Sequence, residues 1–220
     1  MPTVLHTESS HGHGGQEIRT PRRGALAHRP RLGALIACQP DSPLFAEATA
    51  SDDPGRGRPG CAARTDVGAI LHLRRLIRER DVRLVHTHSS VDSWLAGVAA
   101  KSARRPVVRS RHVSIPIRRR RASVYRLADR IITSGEGVRA IVVAAGIAPE
   151  RVVSISAGVD AGRFHAGVSG RPVRNELGLG EAPVVGLVAN VRGSKGHNVF
   201  LEAARTVLAS RARRALPDRR

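Results

Sequence analysis

Leu5-His6-Thr7-Glu8-Ser9-Ser10-His11-Gly12-His13-Gly14-Gly15-Gln16-Glu17 is the stretch that decides the fold. It starts where a short apolar strand, Thr3 to Leu5, runs out, and it ends in two glycines followed by polar residues suited to opening a helix. A strand, a glycine-bearing loop and a helix start form the ligand-binding corner of α/β proteins. Glycine lets the backbone approach a ligand closely, and a helix N-terminus favours anionic groups. The stretch predicts an α/β chain that handles a phosphorylated or polyhydroxylated molecule.

Outward from this corner, β-rich and helical segments alternate. Strands are predicted at Leu35–Cys38, Leu84–Thr87, Val107–Arg109, Arg130–Thr133 and Val152–Ile155. Helices are predicted from Asp66, as N-cap, to about Arg80, and over Val91–Ala103, Ala122–Ala128 and Val138–Ala145, the last stopped by Gly146. The βαβα order argues for a parallel, doubly wound sheet with helices on both faces. Residues 1–165 read as this domain, 166–182 as a linker, and 183–208 as one strand–loop–helix unit of a second α/β domain, with a buried strand at Val184–Val188 and a helix near Val199–Leu208. Residues 209–220 read as a disordered basic tail. Two stretches, 20–34 and 48–64, read as irregular.

The chain has 220 residues and a formal charge of +19, and apart from Lys101 and Lys195 its basic residues are all arginine. Such a field attracts anionic lipid, nucleotide or nucleic acid. Aromatic residues make up only 2% of the chain, so the core falls to Val, Leu, Ile and Ala, and the stacking platforms of single-strand nucleic-acid binders are missing. Cys38 and Cys61 form no ligand-spaced pair, which fits a reduced cytoplasmic protein. No apolar run approaches the roughly 20 residues that span a bilayer, so any membrane contact is expected to be peripheral. His6, His11 and His13 match no standard zinc spacing, and no metal is expected there. His86 and His88 are two apart on a strand end and share a face, as acceptor-contacting groups or as a structural pair. His112 also ends a strand, where ligands gather in open α/β sheets.

Six pieces, in order, resemble family-4 retaining glycosyltransferases of the GT-B fold. They are the His-Gly-Gly-Gln-Glu loop ending at Glu17; Leu84-Val85-His86-Thr87-His88-Ser89-Ser90; Pro106-Val107-Val108-Arg109-Ser110-Arg111-His112; Thr133-Ser134-Gly135-Glu136; Val153 to Asp160 with Arg163-Phe164; and Val188 to Gly196. The resemblance implies two Rossmann-like domains, an acceptor-side N-terminal one and a donor-side C-terminal one of which only the opening is present. It implies transfer of a sugar from a nucleotide-sugar donor to a lipid, saccharide or other acceptor, with no resident cofactor, in cell-envelope or polysaccharide biosynthesis. It maps the donor diphosphate to Gly14, Gly15, Arg192 and Lys195, the transferring sugar and catalytic role to His112, and the acceptor side to Glu17, His86 and His88. Expelling a diphosphate calls for cations and backbone N–H groups where negative charge grows, which suits Arg192 and Lys195 in their glycine-flanked loop. The run Arg118-Arg119-Arg120-Arg121, close to Ile115, Ile117 and Tyr125, suits peripheral contact with an anionic membrane on the cytoplasmic side.

Three stretches depart from the family pattern. Thr20–Arg31 carries Pro21, Gly24 and Pro30 where an amphipathic helix belongs, and an interior proline costs about 3 kcal/mol in a helix. Ala48–Arg64 is rich in Pro, Gly and Arg where a strand and loop belong, and Arg205–Arg220 dissolves into arginine. Shifted reading frames account for all three, and the family's pair of donor-binding glutamates would then lie beyond Arg220, leaving transfer impaired. Competing readings are a non-catalytic acceptor-binding or scaffold half, and a basic nucleic-acid-binding protein.

Overall fold

The computed structural model describes residues 2–11, 33–50, 57–59, 66–118, 122–191 and 193–215. They divide into two compact units, Met1–Gly158 and Val159–Arg220. The first carries the sheet. Its strands are β1 (Thr3–Glu8), β2 (Gly33–Cys38), β3 (Gly57–Pro59), β4 (Val82–Thr87), β5 (Val107–Arg111), β6 (Arg130–Thr133) and β7 (Val152–Ser154), in spatial order β3-β2-β1-β4-β5-β6-β7 with every pairing parallel. This is the doubly wound α/β, Rossmann-like order. Its topological switch point lies between β1 and β4, where ligands bind beyond the carboxyl ends of the strands.

The helices of this unit are α1 (Pro43–Ala50), α2 (Val67–Glu79), α3 (Ser90–Ser102), α4 (Ser123–Arg126) and α5 (Glu136–Ala144). Side-chain alternation along β2 explains how both sheet faces are covered. Leu35 and Ala37 join the main core with Leu5, Leu73, Ile77, Val85, Leu95, Ala99 and Ile131, while Ile36 and Cys38 pack on Leu44, Phe45 and Ala48 of α1. Gly97 lets α3 lie close to Leu127, since a Cβ there would stand 3.3 Å from Leu127 Cδ1. The Asp66 carboxylate accepts from the Ala69 N–H at 2.8 Å and opens α2 as the sequence predicts. Gly146, at φ +85°, follows α5 in the left-handed conformation that closes helices.

Several expectations need revision. β1 runs three residues past Leu5, to Glu8, because in-register partners in both β2 and β4 keep it paired. The stretch 48–64, read as irregular, contains the end of α1 and all of β3, and β2 begins at Gly33, inside 20–34. Backbone pairing to β2 holds β3 despite its composition, with Ile36 opposite Gly57 and Cys38 opposite Pro59. Pro59 is tolerated because β3 is the edge strand.

The second unit contains α6 (Arg171–Glu176), a 3-10 turn at Gly193–Lys195 and α7 (His197–Ala215). Val184–Val188, expected as a buried strand, pairs with no other strand among the described residues, and Val188 is fully exposed at 102% relative accessibility. A single strand without neighbours has neither ladder partners nor a face to bury. α7 continues beyond Leu208 to Ala215, through residues expected to be tail, because its alanines and arginines are good helix formers. No helix among the described residues is long and apolar enough to cross a membrane.

Candidate functional site

The switch point gathers a polar cluster from segments far apart in sequence. In-register pairing sets His6 opposite His86 and Thr7 opposite Thr87, and the next strand sets Arg109 opposite Thr87. Alternation then sends the two sets of side chains to opposite faces of the sheet.

One face holds imidazoles. His6 Nδ1 and His88 Nε2 lie 3.1 Å apart, and His86 Nε2 lies 2.8 Å from Ser110 Oγ. The rings pack with centroids 4.3 Å apart for His86–His88 and 5.4 Å for His6–His88. Ring nitrogens of His6, His86 and His88 all fall within 4.8 Å of one another, close enough to serve one metal ion. The histidines weighed for a metal from sequence were His6, His11 and His13, and that grouping is not the one formed. His11 sits exposed, 3.2 Å from Asp41, and His13 lies outside the described residues. Spacing along the chain carries no sign of this grouping, because these ligand atoms are brought together by strand pairing. His112 lies beyond the end of β5, its ring stacked 6.3 Å from that of His88.

The other face is organised by Asp92, in the first turn of α3. Its carboxylate is fully buried and accepts four hydrogen bonds: from Thr7 Oγ1 at 2.8 Å, the His88 N–H at 2.9 Å, the Ser89 N–H at 2.9 Å and Ser89 Oγ at 2.6 Å. Ser89 is the N-cap of α3, so Asp92 both caps the helix and ties it to the end of β1. Burial pushes the carboxyl up, while the hydrogen bonds from Ser89, His88 and Thr7 and the charge of Arg109 pull it down. Sequence reading missed Asp92, although Ser89-Ser90-Val91-Asp92 is a Ser-x-x-Asp capping signal.

Where these faces meet, a cleft of about 280 Å³ opens, lined by His88, Ser89, Ser110, His112 and two arginines, Arg109 and Arg111, and walled by Val113, Ile115 and Ile117. The Arg109 guanidinium lies 4.1 Å over the Tyr125 ring and that of Arg111 lies 5.6 Å from it. Arg111 also donates to Tyr125 Oη and to the Ile115 carbonyl. Burial lowers the Arg109 pKa, against the pull of Tyr125 and Asp92.

Of the residues assigned from sequence, His86, His88 and His112 come together here. Gly14, Gly15, Glu17, Arg192, Arg119, Arg120 and Arg121 lie outside the described residues. Arg118 is exposed. Lys195, in the second unit, is exposed in the turn that precedes α7, next to Gly196 at φ +73°.

An α/β sheet with its switch point lined in this way belongs to the Rossmann-like class from which GT-B proteins are built. Solved structures agree on the fold. The chain resembles Anabaena Alr3699/HepE in complex with UDP at TM-score 0.76 and 19% identity, covering 93% of this chain and 57% of that one. It resembles a glycosyltransferase from Rickettsia africae ESF-5 at TM-score 0.77 and 18% identity, covering 94% and 57%. The lipopolysaccharide outer core galactosyltransferase WaaB is more distant, at TM-score 0.54 and 11% identity, with 73% and 46% covered. The chain thus spans just over half the length of the first two. No curated protein sequence matches it. The family model for Glycosyltransferase Family 4 matches residues 33–163, and the chain belongs to that family.

Proposed function

We infer that this chain serves sugar transfer from a nucleoside-diphosphate sugar to a lipid or saccharide acceptor, in envelope or polysaccharide assembly on the cytoplasmic side. The observation that carries the reading is the cleft lined by His88, His112, Arg109 and Arg111 beside the switch point of a family-4 sheet. HepE, of the same fold, has been crystallised with UDP and with UDP-glucose.

Transfer breaks the bond between the anomeric carbon and a diphosphate oxygen and joins that carbon to an acceptor hydroxyl, whose proton is released. Negative charge grows on the departing diphosphate, so cations and N–H donors aimed there lower the barrier. Lys195, in the turn before α7, takes that role with Arg192, and glycine at 14 and 15 suits close backbone approach. His112 stands beside the transferring sugar, with His86, His88 and Glu17 on the acceptor side. No resident cofactor is invoked. The exposed Val113, Ile115 and Arg118, with the arginines at 119–121 that follow in the sequence, suit contact with an anionic membrane surface.

Saturation-transfer NMR with UDP-glucose tests the donor reading. Transfer of saturation to the uridine and glucose protons is expected, with loss of most of the signal in Lys195→Ala. No signal at millimolar UDP, UDP-glucose or another nucleotide sugar would overturn it.

A further inference from the structure

Arg109 is 5% exposed, and its Nε and Nη1 have no hydrogen-bond partner among the described residues; neither has Nε of Arg111. A buried guanidinium normally faces a carboxylate, because taking the charge from water is costly unless it is paired. Among the described residues, those lining the cleft include two arginines and two histidines but no aspartate or glutamate. Asp92, the carboxylate whose charge Arg109 feels, is saturated by its own four donors. The Tyr125 ring beneath Arg109 offsets part of the cost; cation–π contacts contribute about 0.5–2 kcal/mol. Tyr125 also supports the charged form through a side-chain hydrogen bond, and Nε and Nη1 still lack an acceptor among the described residues.

Two guanidiniums held side by side repel, and Arg111 is fixed in place by Tyr125 and the Ile115 carbonyl. The spare Nε and Nη1 each belong to one edge of the planar guanidinium, and either edge, completed by Nη2, takes an oxyanion in two parallel hydrogen bonds. Ser89, Ser110 and His88 supply further polar groups around the same cleft.

We propose that this cleft is an oxyanion site, in which Arg109 and Arg111 hold a phosphate-type group carried by the acceptor substrate. The anion site stands on the geometry alone; its assignment to the acceptor rests on the transferase reading. The acceptor is then an anionic molecule, a phosphate monoester or a phosphate-bearing lipid or saccharide, rather than a neutral sugar. Its charged group docks on β5 and leaves a hydroxyl to face His112.

Tyr125 is the sole tyrosine of the chain and lies under Arg109, so tyrosine-selective 13C labelling gives one ring reporter on the cleft. Titration of the full chain with inorganic phosphate and with methyl phosphate should give a saturable shift of that signal, while glucose gives none. Arg109→Lys keeps the charge but loses the fork and should weaken binding about tenfold or more. If Arg109→Lys fails to fold by circular dichroism, Arg111→Lys carries the same expectation. Absence of a saturable shift at tens of millimolar phosphate, or an unchanged titration in the folded variants, overturns the site. Saturating UDP should leave the phosphate titration unmoved. Displacement of phosphate by UDP would hand the cleft to the donor diphosphate and overturn the acceptor assignment, while failure of UDP-glucose to bind at all would strike the transferase reading and leave the oxyanion site standing.

Discussion

Replacing Asp92 by alanine removes one side chain and disconnects three elements. Thr7 at the end of β1, the His88 N–H past the end of β4 and both donors of Ser89 at the start of α3 all terminate on that carboxylate. Thr7 and the His88 N–H are buried, so each loses its acceptor where water does not replace it, at about 1–3 kcal/mol apiece. Loss of the capping interaction at Ser89 adds about 1 kcal/mol. The sum is about 2–6 kcal/mol once Ser89 is allowed to turn toward its neighbour Ser9 Oγ, 2.6 Å away. That is a large part of the 5–15 kcal/mol typical of a whole domain. Asp92→Asn keeps the shape and one acceptor oxygen but points an N–H₂ at two donors, so it should fall about midway. Trp94, the sole tryptophan, sits two residues further along α3 and reports unfolding in urea by fluorescence. A loss below about 1 kcal/mol for Asp92→Ala, at unchanged urea slope, would refute the view that this carboxylate knots the switch point together.

Burial pushes the Cys38 thiol up to about 11, so in a Cys61→Ser background its alkylation by iodoacetamide at pH 8 should run about a hundredfold slower than in urea; equal rates would show an open thiol. Lys101, hydrogen-bonded to both Asp129 oxygens at 2.7 and 2.8 Å, and the Val107 N–H at 2.8 Å overcome partial burial and hold Asp129 below the usual carboxylate range. Its contribution is present above the unfolded value near pH 4 and is lost as pH falls through the lower folded value. Lys101→Met should therefore move acid unfolding, followed by circular dichroism, to higher pH, and cost less than about 1 kcal/mol at pH 7 because the pair is half exposed. Gly146→Ala should cost about 1 kcal/mol in urea unfolding through its positive φ alone, since a Cβ there meets nothing within 4 Å.

The parallel sheet was legible because each strand after β1, β3 apart, carries its own apolar run, and helix signals such as Asp66 and Gly146 act within a few residues. β3 was not legible, since it is held by the backbone of β2 and its Gly-Arg-Pro sequence carries no strand signal. Val184–Val188 misled in the opposite direction: its composition is that of a buried strand, but composition does not supply the neighbours a strand needs. In the site, His86, His88 and His112 could be found because strand ends are where α/β sheets place ligands. His6 as their partner, Asp92 as their anchor and Arg109 as a buried cation with two unpaired nitrogens depend on register across three strands, which local patterns do not encode.

The central place of β1 has a consequence for how the chain is made. β1 must pair on both sides, with β2 and with β4, and its contact between His6 and His88 spans 82 residues. At about 5–20 residues per second, the interval between synthesis of the two is roughly 4–16 s. Until β4 arrives, one edge of this apolar strand stays open even after β2 has paired. An edge left open that long invites wrong pairings, so shielding of the nascent segment should raise the yield of folded chain.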